Sequence, residues 1–172
     1  APTGTSGICK KRKGALIVQH SREHRAVRVE RADATRLDAL AGMACKLWPD
    51  NEPAAMRAEF EDLLVSDRHA VFVAETDGRA AGFVHMSLRF DYVEGSTSSP
   101  VGYVEGVYVE EHCRNGGIAR KLIEAGEAWA KSRGCRELAS DTGLDNVQSQ
   151  LFHRKIGFRE ANRIVAFIKD IP

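Results

Sequence analysis

The run Val104-Glu105-Gly106-Val107-Tyr108-Val109 is followed closely by Cys113-Arg114-Asn115-Gly116-Gly117-Ile118-Ala119-Arg120-Lys121. A β-branched strand breaks at a polar, glycine-containing turn and resumes as an amphipathic helix. Such a turn leaves several backbone N–H groups unpaired, and the helix dipole adds partial positive charge, so the two together form a cradle for a phosphate. Glu105 lies in the middle of the apolar strand, where an ionised carboxylate is costly without a task or a partner. An anion cradle beside a proton acceptor points to an enzyme that uses a phosphorylated cofactor. The glycine pair by itself also fits an ordinary turn before a helix, because neither the G-x-G-x-x-G nor the G-x-x-x-x-G-K-[ST] pattern is present.

A sheet has to hold these residues in place. Val27, Val29 and Arg31 alternate as a first strand would. Thr35-Arg36-Leu37-Asp38 has the form of a capping box with Asp in place of Glu. Leu37, Leu40, Ala41, Ala44 and Trp48 recur at helical spacing until Pro49-Asp50-Asn51 stops them. Pro53 suits the first turn of a second helix, with Ala54, Phe60, Leu63 and Leu64 in its apolar stripe. Residues 70–75 and 80–90 read as strands joined at Asp77-Gly78, a tight-hairpin signal. Residues 91–100 read as a loop and 101–109 as the strand described above. Ile118, Leu122, Ala125 and Trp129 give the next helix an inner stripe, ending near Gly134. Residues 136–141 predict a short strand and 146–155 a short helix. Gly157-Phe158 leads into a closing strand pair, the last strand being 164–168. The helix between strands 101–109 and 136–141 makes that pair parallel, whereas the earlier hairpin is antiparallel. The predicted fold class is α/β, a mixed sheet with helices on its faces.

A chain of 172 residues supports one domain with a real core. Lys and Arg number 25 against 24 Asp and Glu, so nothing in the overall charge draws the domain to nucleic acid or to a membrane. No apolar run approaches the roughly 18 residues of a membrane span. Cys9, Cys45, Cys113 and Cys135 are scattered, which suits reduced thiols in a cytoplasmic protein better than a disulfide framework. No metal is expected, since His20, His24, His69, His85 and His112 form no ligand spacing. Residues 1–25, with glycines flanking Lys10-Lys11-Arg12-Lys13, read as an extension that is disordered or left over from cloning. A nucleic-acid or targeting arm is the other reading of that basic segment. The folded domain is expected to span 26–172.

Arg114-x-x-Gly117-x-Ala119 resembles the Arg/Gln-x-x-Gly-x-Gly/Ala signature of the GNAT acyl-coenzyme A N-acetyltransferases, with flanking elements in the same order over roughly residues 26–170. The resemblance implies a mostly antiparallel sheet with a splayed parallel pair and helices on both faces, and acetyl-CoA as acetyl donor. It implies that Val107, Tyr108 and Val109 meet the pantetheine arm. Arg114, Asn115, Gly116, Gly117, Ile118, Ala119 and Arg120 would then surround the pyrophosphate. Lys46-Leu47-Trp48-Pro49, Asp91-Tyr92-Val93-Glu94-Gly95, Tyr103-Val104-Glu105-Gly106 and Ala139-Ser140-Asp141-Thr142 further resemble aminoglycoside 6′-N-acetyltransferases. That likeness places Trp48, Tyr92, Glu105 and Asp141 around the antibiotic, with Asn51 where some relatives carry His, and Asn146 on the cofactor side. It also implies a homodimer, across which strand 164–168 could pair.

The residues fit such a reaction. A polycationic aminoglycoside needs acids, and Asp50, Glu52, Asp91, Glu94 and Asp145 fall on loops, while Glu105 and Asp141 lie in or at the end of a predicted core strand. Acetyl transfer to an amine requires the ammonium proton to leave, and Glu105 is the expected acceptor. A backbone N–H near Val107 would stabilise the oxyanion. His153 stands where many GNAT members place a tyrosine that protonates the leaving thiolate. Either His153 is that acid or the thiolate leaves unaided. The expected activity is acetylation of the aminoglycoside 6′-amino group, conferring resistance. The alternative is a GNAT enzyme for another small amine or a protein amino group.

Overall fold

Alternation along the two long hairpin strands sends apolar side chains to both faces of the sheet, so both faces need a helical cover. The computed structural model describes residues 26–171; the expected N-terminal extension, with its basic run and Cys9, lies outside them. The elements are β1 (Arg28–Arg31), a 3-10 turn (Ala34–Arg36), α1 (Leu37–Leu47), α2 (Pro53–Val65), β2 (His69–Thr76), β3 (Arg79–Arg89) and β4 (Val101–Val109). A second 3-10 turn (Glu111–Cys113), α3 (Ile118–Ser132), β5 (Leu138–Ser140) and α4 (Val147–Lys155) follow. The sheet order is β1-β2-β3-β4-β5, antiparallel except for the parallel β4–β5 pair.

On one face Ala70, Ala74, Val84, Met86 and Val104 pack with Leu122, Ile123 and Trp129 of α3. On the other, Val71, Val73, Phe83 and Tyr108 pack with Leu40, Ala44 and Phe60 of α1 and α2. The β2–β3 turn holds Asp77 at φ 52 and Gly78 at φ 72, the paired left-handed geometry that keeps a two-residue hairpin in register.

Three local expectations are corrected. Thr35 does not cap α1; Asp33 accepts from the Thr35 N–H at 2.9 Å and caps the 3-10 turn instead, while Asp38 pairs with Arg57. Ala54 is exposed, and Met56 takes its place beside Phe60 in the α2 stripe because the helix turns that flank inward. The closing strand pair is absent among the described residues: β5 is an edge strand and residues 158–171 form no ladder. The 164–168 run is apolar enough for a strand, but its backbone finds no partner. Ile164, Val165, Phe167 and Ile168 are all exposed.

The local feature that most affects the site is a bulge. His85 pairs with Gly106 and Met86 with Val104, so Glu105 is an extra residue in β4. Val104, Val107 and Val109 pack toward α3, whereas Tyr108 joins the α1–α2 side. Gly106 lies under Trp48 of that same side. The bulge therefore turns two successive residues, Glu105 and Gly106, toward α1 and α2 and re-aims the carboxylate.

Candidate active site

The two edges of β4 differ. Toward β3 it is paired along its length, while toward β5 the ladder holds only Gly102, Tyr103 and Val104 against Leu138, Ala139 and Ser140. Beyond Val104 the parallel pair splays, and no strand of the described residues takes up the outer edge of 105–109. Backbone groups left in that state call for water or an extended ligand. Val107, Tyr108 and Val109 lie on this open stretch. The Val109 carbonyl accepts from Arg114 Nε at 3.0 Å, which folds Arg114 back over the strand end.

The turn that follows holds Asn115 at φ 64 and Gly117 at φ 79, both left-handed. A Cβ at Gly117 would meet nothing within 4 Å, so the approach to the loop is clear. Gly117 is the N-cap of α3, and no side chain bonds the first-turn N–H groups. The amides entering α3, at Ile118, Ala119 and Arg120, are thus left without a side-chain cap at the positive end of a long helix, an arrangement suited to an anion. Gly116 is exposed beside them. Arg120 donates to the Lys155 carbonyl at 3.2 Å and ties α3 to α4. Asn146 heads α4, where its Oδ1 accepts from the Ser149 N–H at 3.0 Å, so its side chain also starts that helix.

Glu105 is gripped from β3. Ser87 Oγ donates to its Oε1, and Arg89 donates to Oε1 from Nε at 3.3 Å and to both oxygens from Nη2, at 3.0 and 2.9 Å. The carboxylate side chain keeps 27% of its exposure. The Arg89 guanidinium carbon sits 3.2 Å from the centre of the Tyr103 ring, and the Tyr103 hydroxyl donates to Asp141 Oδ1. Burial, then the bond to Asp141, pushes the Tyr103 phenol above its usual range, so it remains a donor. Ser87, Glu105, Arg89, Tyr103 and Asp141 thus form one connected chain. Sequence reasoning gave Ser87, Arg89 and Tyr103 no role. The available signal was the Ser87-x-Arg89 alternation, which puts two polar side chains on one face of an otherwise apolar strand.

Trp48 ends α1 with its ring on Gly106, where a Cβ would come within 2.5 Å of Cζ2, and 6.2 Å from the Phe83 ring. That seats an aromatic face next to Glu105. Asn51 donates to the Trp48 carbonyl at 3.3 Å in the turn before α2. Tyr92 is 80% exposed and donates to Glu94 at 2.7 Å. Hydrogen bonds from Tyr92 and then Asn162 hold the Glu94 carboxyl below its usual range. Glu137, at the foot of β5, accepts from Ser98 and the Thr97 N–H, pulling its carboxyl down to about 2 and fixing the loop that carries Tyr92.

A cleft of about 940 Å³ opens between that loop, the end of β5 and α4, lined among others by Arg89, Tyr92, Tyr103, Asp141 and His153. Trp48, Asn51 and Glu105 lie outside its lining. The cleft brings Tyr92 and Asp141 together, and Arg89 links them to Glu105. His153 is engaged at both nitrogens: Nδ1 donates to the Ser149 carbonyl at 2.7 Å, and Nε2 lies 3.0 Å from Ser140 Oγ, which also faces the Val104 carbonyl at 3.3 Å. Phe152 and Phe158 meet its ring edge-on, at centroid distances of 5.6 and 5.3 Å. Among the described residues no group of three or more His, Cys, Asp or Glu could hold a metal ion.

Comparison with known proteins agrees with this geometry. Residues 37–158 match the acetyltransferase (GNAT) family. The chain is 42% identical over 140 residues to the type 1 aminoglycoside N(6′)-acetyltransferase of Serratia marcescens, covering 81% of this chain and 96% of that one. The structure resembles aminoglycoside N-acetyltransferase AAC(6′)-Iy in complex with CoA, with a TM-score of 0.83, 38% identity and coverage of 86% and 97%. It resembles the same enzyme in complex with the bisubstrate analogue CoA-S-monomethyl-acetylneamine at a TM-score of 0.82, with 38% identity and coverage of 85% and 99%.

Proposed function

The chain belongs to the GNAT acetyltransferase family, in its aminoglycoside N(6′)-acetyltransferase branch, and from that premise we propose that it moves an acetyl group from acetyl-CoA to the 6′-amino group of aminoglycosides, a reaction that confers resistance. The observation that carries the reading is the layout of β4. A re-aimed carboxylate sits at its centre, an open backbone edge follows, and an uncapped helix N-terminus lies just beyond.

The pyrophosphate of acetyl-CoA would rest on the amides of residues 115–120, with Arg114 and Asn146 beside it and the pantetheine arm along Val107, Tyr108 and Val109. The antibiotic would take Trp48 as a platform, with Tyr92, Asn51 and Asp141 around it. Glu105 Oε1 is saturated by Ser87 and Arg89, whereas Oε2 has a single donor and keeps an acceptor position for the substrate nitrogen. Glu105 receives the ammonium proton, the freed amine attacks the thioester carbonyl, a backbone N–H near Val107 steadies the oxyanion, and the C–S bond breaks as the amide forms. With both nitrogens of His153 occupied, the geometry favours a thiolate that leaves without a dedicated acid.

We also place the protein in the cytoplasm, as a homodimer. Cys45, Cys113 and Cys135 are free thiols, and no helix of the described residues is long and apolar enough to cross a membrane. The exposed apolar run 164–168 would gain a partner strand from a second copy. A coupled thiol-release assay with acetyl-CoA tests the activity: kanamycin and tobramycin should turn over, and a 6′-hydroxyl analogue should not. Turnover of simple amines or peptide amino groups, with none of the aminoglycosides, would favour the alternative substrate class.

A further inference from the structure

We propose that Arg89 is a positioning residue for acetyl transfer: seated on the Tyr103 ring, it grips Glu105 by both oxygens and sets where that carboxylate meets the substrate amine. The inference rests on the reading of Glu105 as proton acceptor. A guanidinium in a site meant for a polycation is an electrostatic liability, so its presence needs a reason. Its surroundings supply one. Glu105 is the extra residue of a bulge, and the ladder does not fix it as it fixes its neighbours. The Arg89 side chain is itself 41% exposed, yet it is held on two sides, by the carboxylate fork and by the Tyr103 face. A planar fork with two donors can define the plane of a carboxylate, which a point charge cannot. Nε bonds only Oε1 and Nη2 reaches both oxygens, so Oε1 takes two contacts from the guanidinium and Oε2 one, which keeps an acceptor position on Oε2 for the substrate nitrogen. Tyr103, under the guanidinium, also bonds Asp141, so the same stack sets the spacing between the two substrate acids.

The test is a double-mutant cycle on kcat, with melting curves as a control for folding. Arg89→Ala should lower kcat by about 30- to 100-fold, the size expected when a reacting group is misplaced, and leave the KM for acetyl-CoA within about twofold. In a Glu105→Gln background the same change should cost almost nothing further, because a residue acting through Glu105 has nothing left to position. Millimolar guanidinium should restore part of the Arg89→Ala turnover only where Glu105 is present. Arg89→Lys keeps the charge, loses the fork, and should fall between, at about a tenfold loss; if Arg89→Ala fails to fold, the lysine variant carries the cycle. An equal loss in both backgrounds overturns the positioning role while the proton-acceptor reading stands. Full turnover of Glu105→Gln alone overturns that reading instead.

Discussion

The two ends of β4 solve their binding problems differently. At the far end, the candidate cofactor loop is built from backbone: left-handed Asn115 and Gly117, an uncapped α3 and an unpaired strand edge. At the middle, the candidate acid site is built from side chains of two strands and the segment after a third, with Ser87 and Arg89 on β3, Tyr103 and Glu105 on β4, and Asp141 just past β5. A backbone cradle recognises any pyrophosphate and depends on a few glycines. A side-chain chain can be tuned to one substrate and depends on partners far apart in sequence. The first should therefore fail in the acetyl-CoA terms alone and the second in the aminoglycoside and turnover terms alone.

Gly117→Val should break the cradle most severely. A β-branched residue at a positive φ costs about 1–3 kcal/mol of backbone strain. Its side chain also fills the open approach, so the KM for acetyl-CoA should rise by about two orders of magnitude while aminoglycoside affinity is kept. Steady-state kinetics with each substrate varied decides this, and unchanged acetyl-CoA kinetics in a folded variant would contradict the cradle. Asp141→Asn should act on the other side, weakening the aminoglycoside by about tenfold through loss of one charge-assisted contact. Asp141 is exposed in the free protein, which keeps the effect modest. Calorimetry of the two ligands separately should show acetyl-CoA binding unaffected, and equal losses would point to a folding defect.

The sequence foretold these two ends unequally. The strand–turn–helix of the candidate cofactor loop was readable because its geometry is local: a strand, a polar turn, two glycines and an amphipathic helix occur in order. Helices α1, α2 and α3, the 77–78 hairpin and the parallel β4–β5 pair followed from periodicity and turn residues for the same reason. The acid site was readable only in its acids. That Glu105 is a bulge residue, and that Arg89 holds it, depends on how β3 and β4 register, and periodicity within one strand carries no such information. Gly106 in the strand interior was a local hint of a bulge. The tail failed for a related reason. Residues 164–168 have strand composition, but a strand exists only where another edge receives it, and among the described residues the run pairs with none of the sheet's edges.

A smaller effect probes the core beneath both ends. His85 is buried against Phe60 with its Nε2 3.0 Å from His69 Nδ1, and burial, then the neighbouring His69, pushes it down to about 4. Below the unfolded value of about 6.5, the unfolded chain binds a proton that the folded one refuses, so stability should fall as pH drops from about 6.5 toward 4. Glu137 and Glu160, each held at about 2 by hydrogen bonds, contribute stability above the ordinary carboxylate range that is lost only lower, as pH falls toward 2. Melting temperatures from pH 7 to 3 should show both limbs, and His85→Leu should flatten the upper limb alone. A variant that keeps the full upper limb would assign it elsewhere.

The most direct measurement is turnover of Glu105→Gln across pH. Glutamine keeps the shape and the acceptor toward Ser87 but can take no proton. If Glu105 receives the ammonium proton, kcat should fall by about 10²-fold at neutral pH and recover in part as pH rises toward the substrate amine's own pKa, where solution supplies free amine. If Glu105 is only the partner of Arg89, the variant should melt at a lower temperature yet turn over fully between pH 6 and 8, with no gain from alkaline pH, and that result would contradict the proton-accepting role.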